Sequence, residues 1–302
     1  MLSLLHHGGD ADVKNKYLAL LAFVAPAFIA YFVMLVIPTL GGFYYSFTDW
    51  NGLAKSYHFI GLDNFVEAVT DDPDFIHSIS FTLKHVIFMV IAQNVIALLL
   101  AILIESQRKM KGFFRTIFFM PNMVSLIISS FIWTFMFSQV LPQLAVKTGW
   151  LFLNQEWSGN PKAAFFSIAI VSLWQGVGYM MIIYLAALQG VPQSLREAAI
   201  IDGASPVKSL VHITLPMITH AFTICFFLTL NSAFKVFDVV YGLTGGGPGR
   251  ETQVITLNIF EEAFSNNFRY GYASAKSVLL FAMIMLFTFV QVFVMKKREV
   301  EA

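Results

Sequence analysis

The residues that most suggest chemistry are the run Thr244-Gly245-Gly246-Gly247-Pro248-Gly249-Arg250. A phosphate-cradling loop needs glycine, four residues, glycine, lysine and Ser/Thr at the start of a helix, so that backbone N–H groups and the lysine meet the phosphates. Gly242 and Gly247 have that spacing, but Pro248 takes the lysine position and brings neither a charge nor an N–H. The dinucleotide fingerprint fails too, because no strand of a βαβ unit precedes the run. His58, His77, His85, His212 and His220 show no metal-ligand spacing, and His6 and His7 have no further ligands beside them. No Gly-x-Ser-x-Gly elbow occurs. Glu261 and Glu262 are helix neighbours whose side chains diverge, as on a solvated face. No metal site and no catalytic residue is assigned.

The elements that would hold these residues follow from composition. The 302 residues are 57% hydrophobic and 12% charged. A soluble domain carries about 25% charged residues, so this chain cannot wet a soluble surface. Aromatic content of 16% excludes disorder. A single cysteine, Cys225, excludes a disulfide framework. A net charge of +1 gives no field for nucleic acid. An integral membrane protein remains.

The charges cluster, leaving uncharged stretches at 17–48, 85–104, 116–146, 163–195, 209–234 and 277–295. A helix crosses the hydrocarbon core with about 20 residues, so each stretch holds one span. The expectation is an all-α integral membrane protein with helices near 17–40, 81–104, 116–138, 164–188, 217–236 and 275–295. The runs are continuous rather than alternating, which excludes a barrel. The first run is too long for the apolar region of a signal peptide and is read as a retained helix. Of the 19 Lys and Arg, 11 fall on segments sharing the side of the termini and 8 on the other. The dense runs Arg108–Arg115 and Lys296–Arg298 sit at helix ends, so both termini are assigned to the cytoplasm. The chain divides into a cytoplasmic tail 1–16, a six-helix transmembrane domain 17–295 containing a cytoplasmic loop 189–216, and a cytoplasmic tail 296–302. Ion-driven transport needs acids or histidines inside helices. The central spans offer Gln93, Asn94 and Gln175, with Asn231, Lys235 and Asp238 at the outer end of the fifth. If the chain transports, its energy source therefore belongs on another subunit. The alternative is a stand-alone secondary transporter or channel for a small polar solute, which the scarcity of intramembrane acids disfavours.

The loop 189–216 is the most informative segment. Ser194 is read as an N-cap, with Glu197 three residues on completing a capping box. A short helix follows through Ala198, Ala199 and Ile201, and Asp202-Gly203 ends it. Ser205 caps again, Pro206 takes the first helical position, and a second short helix runs from Val207 to Ile213. Leu215-Pro216 is read as the opening of the fifth span. Two short helices joined at a glycine form a projecting knuckle, and the small Ala198 and Ala199 let a partner approach.

This loop resembles the signature of inner-membrane permeases of binding-protein-dependent ABC importers. Glu197-Ala198-Ala199, Gly203, Ile213 and Leu215-Pro216 match every anchor at its spacing, and Asp202-Gly203-Ala204 is similar to the carbohydrate branch. Leu243 to Pro248 resembles a motif of the maltose and glycerol-phosphate permease-like group, and Phe118-Phe119-Met120-Pro121 is a third match. The resemblance implies a type I ABC importer permease fold (MetI-like). It implies that Ser194–Ser209 acts as the coupling helix seated in a separate cytoplasmic ATPase, with Glu197 and Asp202 as polar contacts and Gly203 as the bend. It implies a second homologous permease, two ATPase subunits that bind ATP and Mg so that this chain needs no cofactor, and an extracellular solute-binding protein, in the bacterial plasma membrane. The first helix is expected to reach across to the second permease. The segment Trp174–Tyr179 matches a stretch lining the sugar site of the maltose relative, with Gln175, Gly176 and Tyr179 at the matching places. Thr229, Ser232 and Lys235 resemble its polar stripe, but Ala233 and Val236 replace the asparagines there, which leaves the sugar open. Helix packing explains the same residues equally simply. The motif Thr244, Gly245, Gly246, Gly247 and Pro248 acts in docking the binding protein or shaping the cavity, or is a turn that needs glycine for its backbone angles.

Overall fold

A computed structural model describes residues 8–106, 110–265 and 268–297. His6, His7, Arg108, Lys109, Arg298 and the outermost parts of both tails lie outside the described residues. Among the described residues the chain is helical, with loops and one isolated bridge between Thr48 and Phe59.

Five continuous helices are long and apolar enough to cross a membrane: Ala19–Tyr45, Pro73–Ser106, Leu126–Thr148, Pro161–Gly190 and Tyr270–Lys296. A sixth crossing is a pair, Pro206–Met217 and Thr219–Phe234, bent by 68°. Six crossings match the number of apolar runs, but three boundaries differ. The expected polar tail 1–16 is helical from Gly8 and runs into the first span, with no break between. The expected third span, 116–138, is two pieces. Lys111–Phe119 ends in a tight turn Met120–Met123, Val124 is extended, and the crossing helix starts at Leu126. The second knuckle helix does not stop before Leu215-Pro216; it continues to Met217 and breaks at Ile218.

The continuation through Pro216 has a physical cause that recurs. Proline inside a helix frees a carbonyl one turn back and crowds it. Wide π turns at Phe32–Val36, Met136–Val140 and Leu210–Thr214 each end two residues before a proline: Pro38, Pro142 and Pro216. The extra residue in each turn makes room for the ring, so the helix bends around proline instead of ending.

The second and fourth spans are the centre of the bundle. Ala97 and Ala101 of the second pack with Met181, Tyr184, Leu185 and Leu188 of the fourth and with Ala221 and Cys225 of the fifth. Asn94 ties all three together. Its Oδ1 accepts from Tyr184 Oη at 2.8 Å and its Nδ2 donates to Thr229 Oγ1 at 3.2 Å. The fourth span starts cleanly because Asn160 accepts from the Lys162 N–H at 2.9 Å while Pro161 takes the first helical position. By contrast, no part of the apolar window of the first span is buried against the rest of the chain.

Lys111–Phe119 packs on the fourth span at Gly178, where an added Cβ would lie 1.9 Å from the Phe118 carbonyl oxygen. Gly178→Ala is therefore expected to cost about 1–3 kcal/mol by forcing the two backbones apart. Thermal unfolding in detergent checks this, and an unchanged midpoint would refute the close approach.

Candidate functional site

The broken entry to the third span shapes a cavity. Inside a membrane the carbonyls freed at such a break need partners. Gln175 of the fourth span supplies one: its Nε2 donates to the Val124 carbonyl at 2.7 Å, and Asn122 Nδ2 reaches the Gln175 carbonyl at 3.4 Å. Between this break and the second, fourth and fifth spans lies a space of about 540 Å³. A volume of that size holds a small molecule.

Gln175, Gly176, Tyr179, Ser232 and Lys235 stand on its wall. Tyr179 is 41% exposed, and Lys235 sits at the outer end of the fifth span with Asp238 nearby in the wall. Gly176 keeps room for Gln93, whose Nε2 would lie 2.6 Å from a Cβ at that position. Two candidates stand elsewhere. Trp174 faces the Trp133 ring edge-on at 5.7 Å, away from the wall. Thr229 is fully buried against Asn94 in the packing of the spans. Three-residue steps drift by about 60° around a helix, so Thr229 and Ser232 separate, and the helix ends at Phe234 before Lys235.

At the opposite end of the bundle the knuckle forms from Gln193–Ile201 and Pro206–Ser209. Gly203 has φ +77°, its N–H donates to the Ile200 carbonyl at 3.0 Å, and the Ala204 N–H donates to the Ala199 carbonyl at 2.9 Å. Those bonds and the left-handed glycine form a Schellman cap, which fixes the angle between the two helices. Ser205 caps the second helix through the Lys208 N–H at 3.3 Å, as its spacing indicates. The capping box at Ser194 does not form. Pro192, extended at ψ 129°, already ends the preceding chain, so the helix begins at Gln193 and Ser194 lies inside it. Glu197 instead accepts from Gln193 Nε2 at 2.7 Å. Ala199 is buried, while Ser194, Glu197, Ala198 and Asp202 are exposed; Ala204, Ile213, Leu215 and Pro216 are half-buried. The tip also exposes Ile200, Ile201 and Val207, the second of these at 85%.

The family model described as the binding-protein-dependent transport system inner membrane component matches residues 93–300. The chain belongs to this family. Among its relatives is the "Probable starch degradation products transport system permease protein AmyD" of Thermoanaerobacterium thermosulfurigenes, 40% identical over 281 residues that cover 92% of this chain and 94% of the relative. The multiple sugar-binding transport system permease MsmF of Streptococcus mutans is 33% identical over 288 residues, covering 95% and 98%. A crystal structure of a bacterial ABC transporter involved in the import of the acidic polysaccharide alginate aligns with a TM-score of 0.82 at 22% identity, over 95% of this chain and 98% of that one. The fold is thus the ABC importer permease fold, in an inner-membrane transport subunit.

The glycine-rich run of this permease folds as a closed loop. Thr244 Oγ1 lies 2.8 Å from Thr252 Oγ1, Thr252 Oγ1 donates to the Gly247 carbonyl at 2.6 Å, and the Gly246 N–H donates to Thr244 Oγ1 at 3.2 Å. Gly245 and Gly246 have positive φ, and the Gly247-Pro248 peptide completes the turn. Arg250 pairs with Asp74, and His77 Nε2 lies 3.3 Å from Glu251 Oε2, pinning the loop to the start of the second span. After the loop a short helix Ile255–Phe260 runs into a wide turn Glu261–Ser265.

Beneath this loop lies a polar cluster that composition and motifs did not single out. Lys276, fully buried, places Nζ 2.7 Å from Asp72 Oδ2, 2.8 Å from Asn258 Oδ1 and 3.6 Å from Glu262 Oε2. Arg269 forms a two-pronged bond to Glu67 at 2.7 and 2.6 Å. Burial works to raise the Asp72 carboxyl, but Lys276, the Phe75 N–H and the Tyr272 hydroxyl hold it below the ordinary carboxylate range. The bond to Glu67 raises Arg269 against the opposing effect of burial. Burial likewise raises Glu261. The sequence signal was present: Arg269 and Lys276 stand seven apart just where the sixth apolar run begins.

Proposed function

We propose that this chain is one of two different permeases of an ABC sugar importer and forms part of the path for a sugar or oligosaccharide handed over by an extracellular solute-binding protein. The carrying observation is the cavity beside the broken third span, where the Tyr179 ring, the Gln175 amide and Ser232 share one wall. Aromatic faces cover the apolar face of a sugar, and amides and hydroxyls meet its hydroxyls. The sugar-transport names of AmyD and MsmF support the substrate class.

Separate ATPase subunits, which bind ATP and Mg, drive the path through Ser194–Ser209. The exposed apolar tip at Ile200, Ile201 and Val207 supports a protein partner there, since such patches mark interaction sites. The unburied first span supports a face for the second permease. The glycine loop faces the binding protein, and both termini lie in the cytoplasm, as the charge bias requires.

The test is uptake by the complete transporter in proteoliposomes, with a panel of mono- and oligosaccharides loaded on the binding protein. At least one sugar is expected to be carried with stimulation of ATP hydrolysis. Tyr179→Ala is expected to cut uptake about tenfold while leaving that stimulation, as loss of one aromatic stacking partner would. Unchanged uptake would remove Tyr179 from the path, and a panel with no sugar carried would overturn the substrate class.

A further inference from the structure

The cavity carries a second polar wall, where His85 and Ser172, which lie outside both the family motifs and the sugar-like stretch at 174–179, stand beside Gln175. His85 stands in the second span with 1% of its surface exposed, and its ring meets Phe165 edge-on at 6.4 Å. Its Nδ1 has no hydrogen-bond partner. On the facing fourth span, Ser172 Oγ and Gln175 Oε1 also lack partners. All three residues line the same space. Buried polar atoms are nearly always paired, so three unpaired ones, each covered by its neighbours but carried on residues that line one cavity, point to a ligand or solvent that completes them.

We propose that His85 is a specificity-determining residue of the sugar path, reading neighbouring hydroxyls of the passing sugar together with Ser172 and Gln175. The proposal rests on the sugar reading above and adds which groups select the sugar. Gln175 is pre-set for the task. Its Nε2 is engaged by the Val124 carbonyl at 2.7 Å, which holds Oε1 as a fixed acceptor. A neutral imidazole nitrogen can donate or accept according to tautomer, and a serine hydroxyl does both. One fixed acceptor beside two adaptable groups fits a row of hydroxyls, each of which donates and accepts. An apolar solute would leave all three unpaired, and a carboxylate would set acceptor against acceptor at Gln175. The class selected is a neutral, hydroxyl-rich ring.

The complete transporter in proteoliposomes provides the test, with maltose, maltotriose, trehalose and raffinose as labelled probes. The best-carried sugar is then compared with its monodeoxy derivatives. Each is supplied at a concentration that saturates the binding protein, and uptake is measured per ATP hydrolysed, so that the membrane path is read rather than the binding protein. The wild type is expected to favour the parent over one derivative by about 10- to 100-fold. His85→Leu should lower uptake of the parent to the level of that derivative and leave ATPase stimulation by the loaded binding protein intact. His85→Gln should restore part of the preference, which a purely packing role would not do. If His85→Leu keeps the preference, or lowers parent and derivatives alike, ordered solvent or packing explains the unpaired atoms and the proposal falls. If none of the four sugars is carried and none stimulates ATP hydrolysis, the sugar reading itself fails, a different result from a carried sugar indifferent to His85.

Discussion

Gly203→Pro is expected to abolish uptake while the permease still inserts and assembles. Gly203 sits at φ +77°, and proline is locked near −65°. Proline also removes the N–H that donates to the Ile200 carbonyl at 3.0 Å, so both supports of the Schellman cap are lost. A misplaced proline costs about 3 kcal/mol or more, enough to reduce the correctly angled knuckle by about 100-fold. Gly203 has open space around it, so Gly203→Ala meets no clash and costs only the left-handed backbone, about 1–2 kcal/mol. Alanine should therefore retain partial uptake and proline none. Glu197→Lys, which reverses the exposed charge on the same helix, should uncouple ATP hydrolysis from transport without disturbing the fold. ATPase activity stimulated by loaded binding protein, measured beside uptake, checks both changes. If uptake and stimulation survive Gly203→Pro and Glu197→Lys, the knuckle does not transmit the motion of the ATPase.

Why some of this was readable from residues and some was not follows from where each determinant lies. The six crossings were legible because lipid imposes a length and an apolarity on every span, written locally in each run. The knuckle was legible because Gly203, Ser205 and Pro206 act on their own backbone neighbours. Ser194 misled because its capping pattern was genuine but Pro192, two residues earlier, set the helix start first. The break at Val124 was only half legible: Pro121 in the turn before it is a local breaker, but the partner that makes the break tolerable, Gln175, is 51 residues away. The continued helix at Pro216 was hidden for a related reason, since the proline signal was local and the wide turn that absorbs it was not. Thr229 was placed on a path by counting in threes, whereas its true partner, Asn94, lies 135 residues away on the second span. His85 showed only a lack of metal-ligand neighbours; its significance comes from the cavity that three distant elements enclose.

The largest loss of stability is expected at Lys276. Its ammonium is fully buried and bridges Asp72 beside the first turn of the second span, Glu262 in the outer turn and Asn258 in the helix before it. Asp72 at the same time caps the second span through the Phe75 N–H at 2.8 Å. Removing one partner of a buried ion pair costs about 3–5 kcal/mol because the remaining charges stay buried without compensation. Lys276→Met keeps the length of the side chain and removes only the charge, so it isolates that effect from packing. The unfolding midpoint of the purified protein in detergent should fall by about 6 °C or more. Adding Asp72→Asn and Glu262→Gln should recover much of the loss, since the amides retain the shape and the cap without the stranded charge. A midpoint unchanged by Lys276→Met would show that solvent reaches the cluster. Acid provides an independent check with a defined sign. The Asp72 carboxyl is held below its ordinary value of 3.8, so its contribution is complete above that pH and disappears as the pH falls through the depressed value. The wild type should therefore lose stability below that point more steeply than Lys276→Met, which has lost the cation that depresses Asp72, and the two curves should converge in acid.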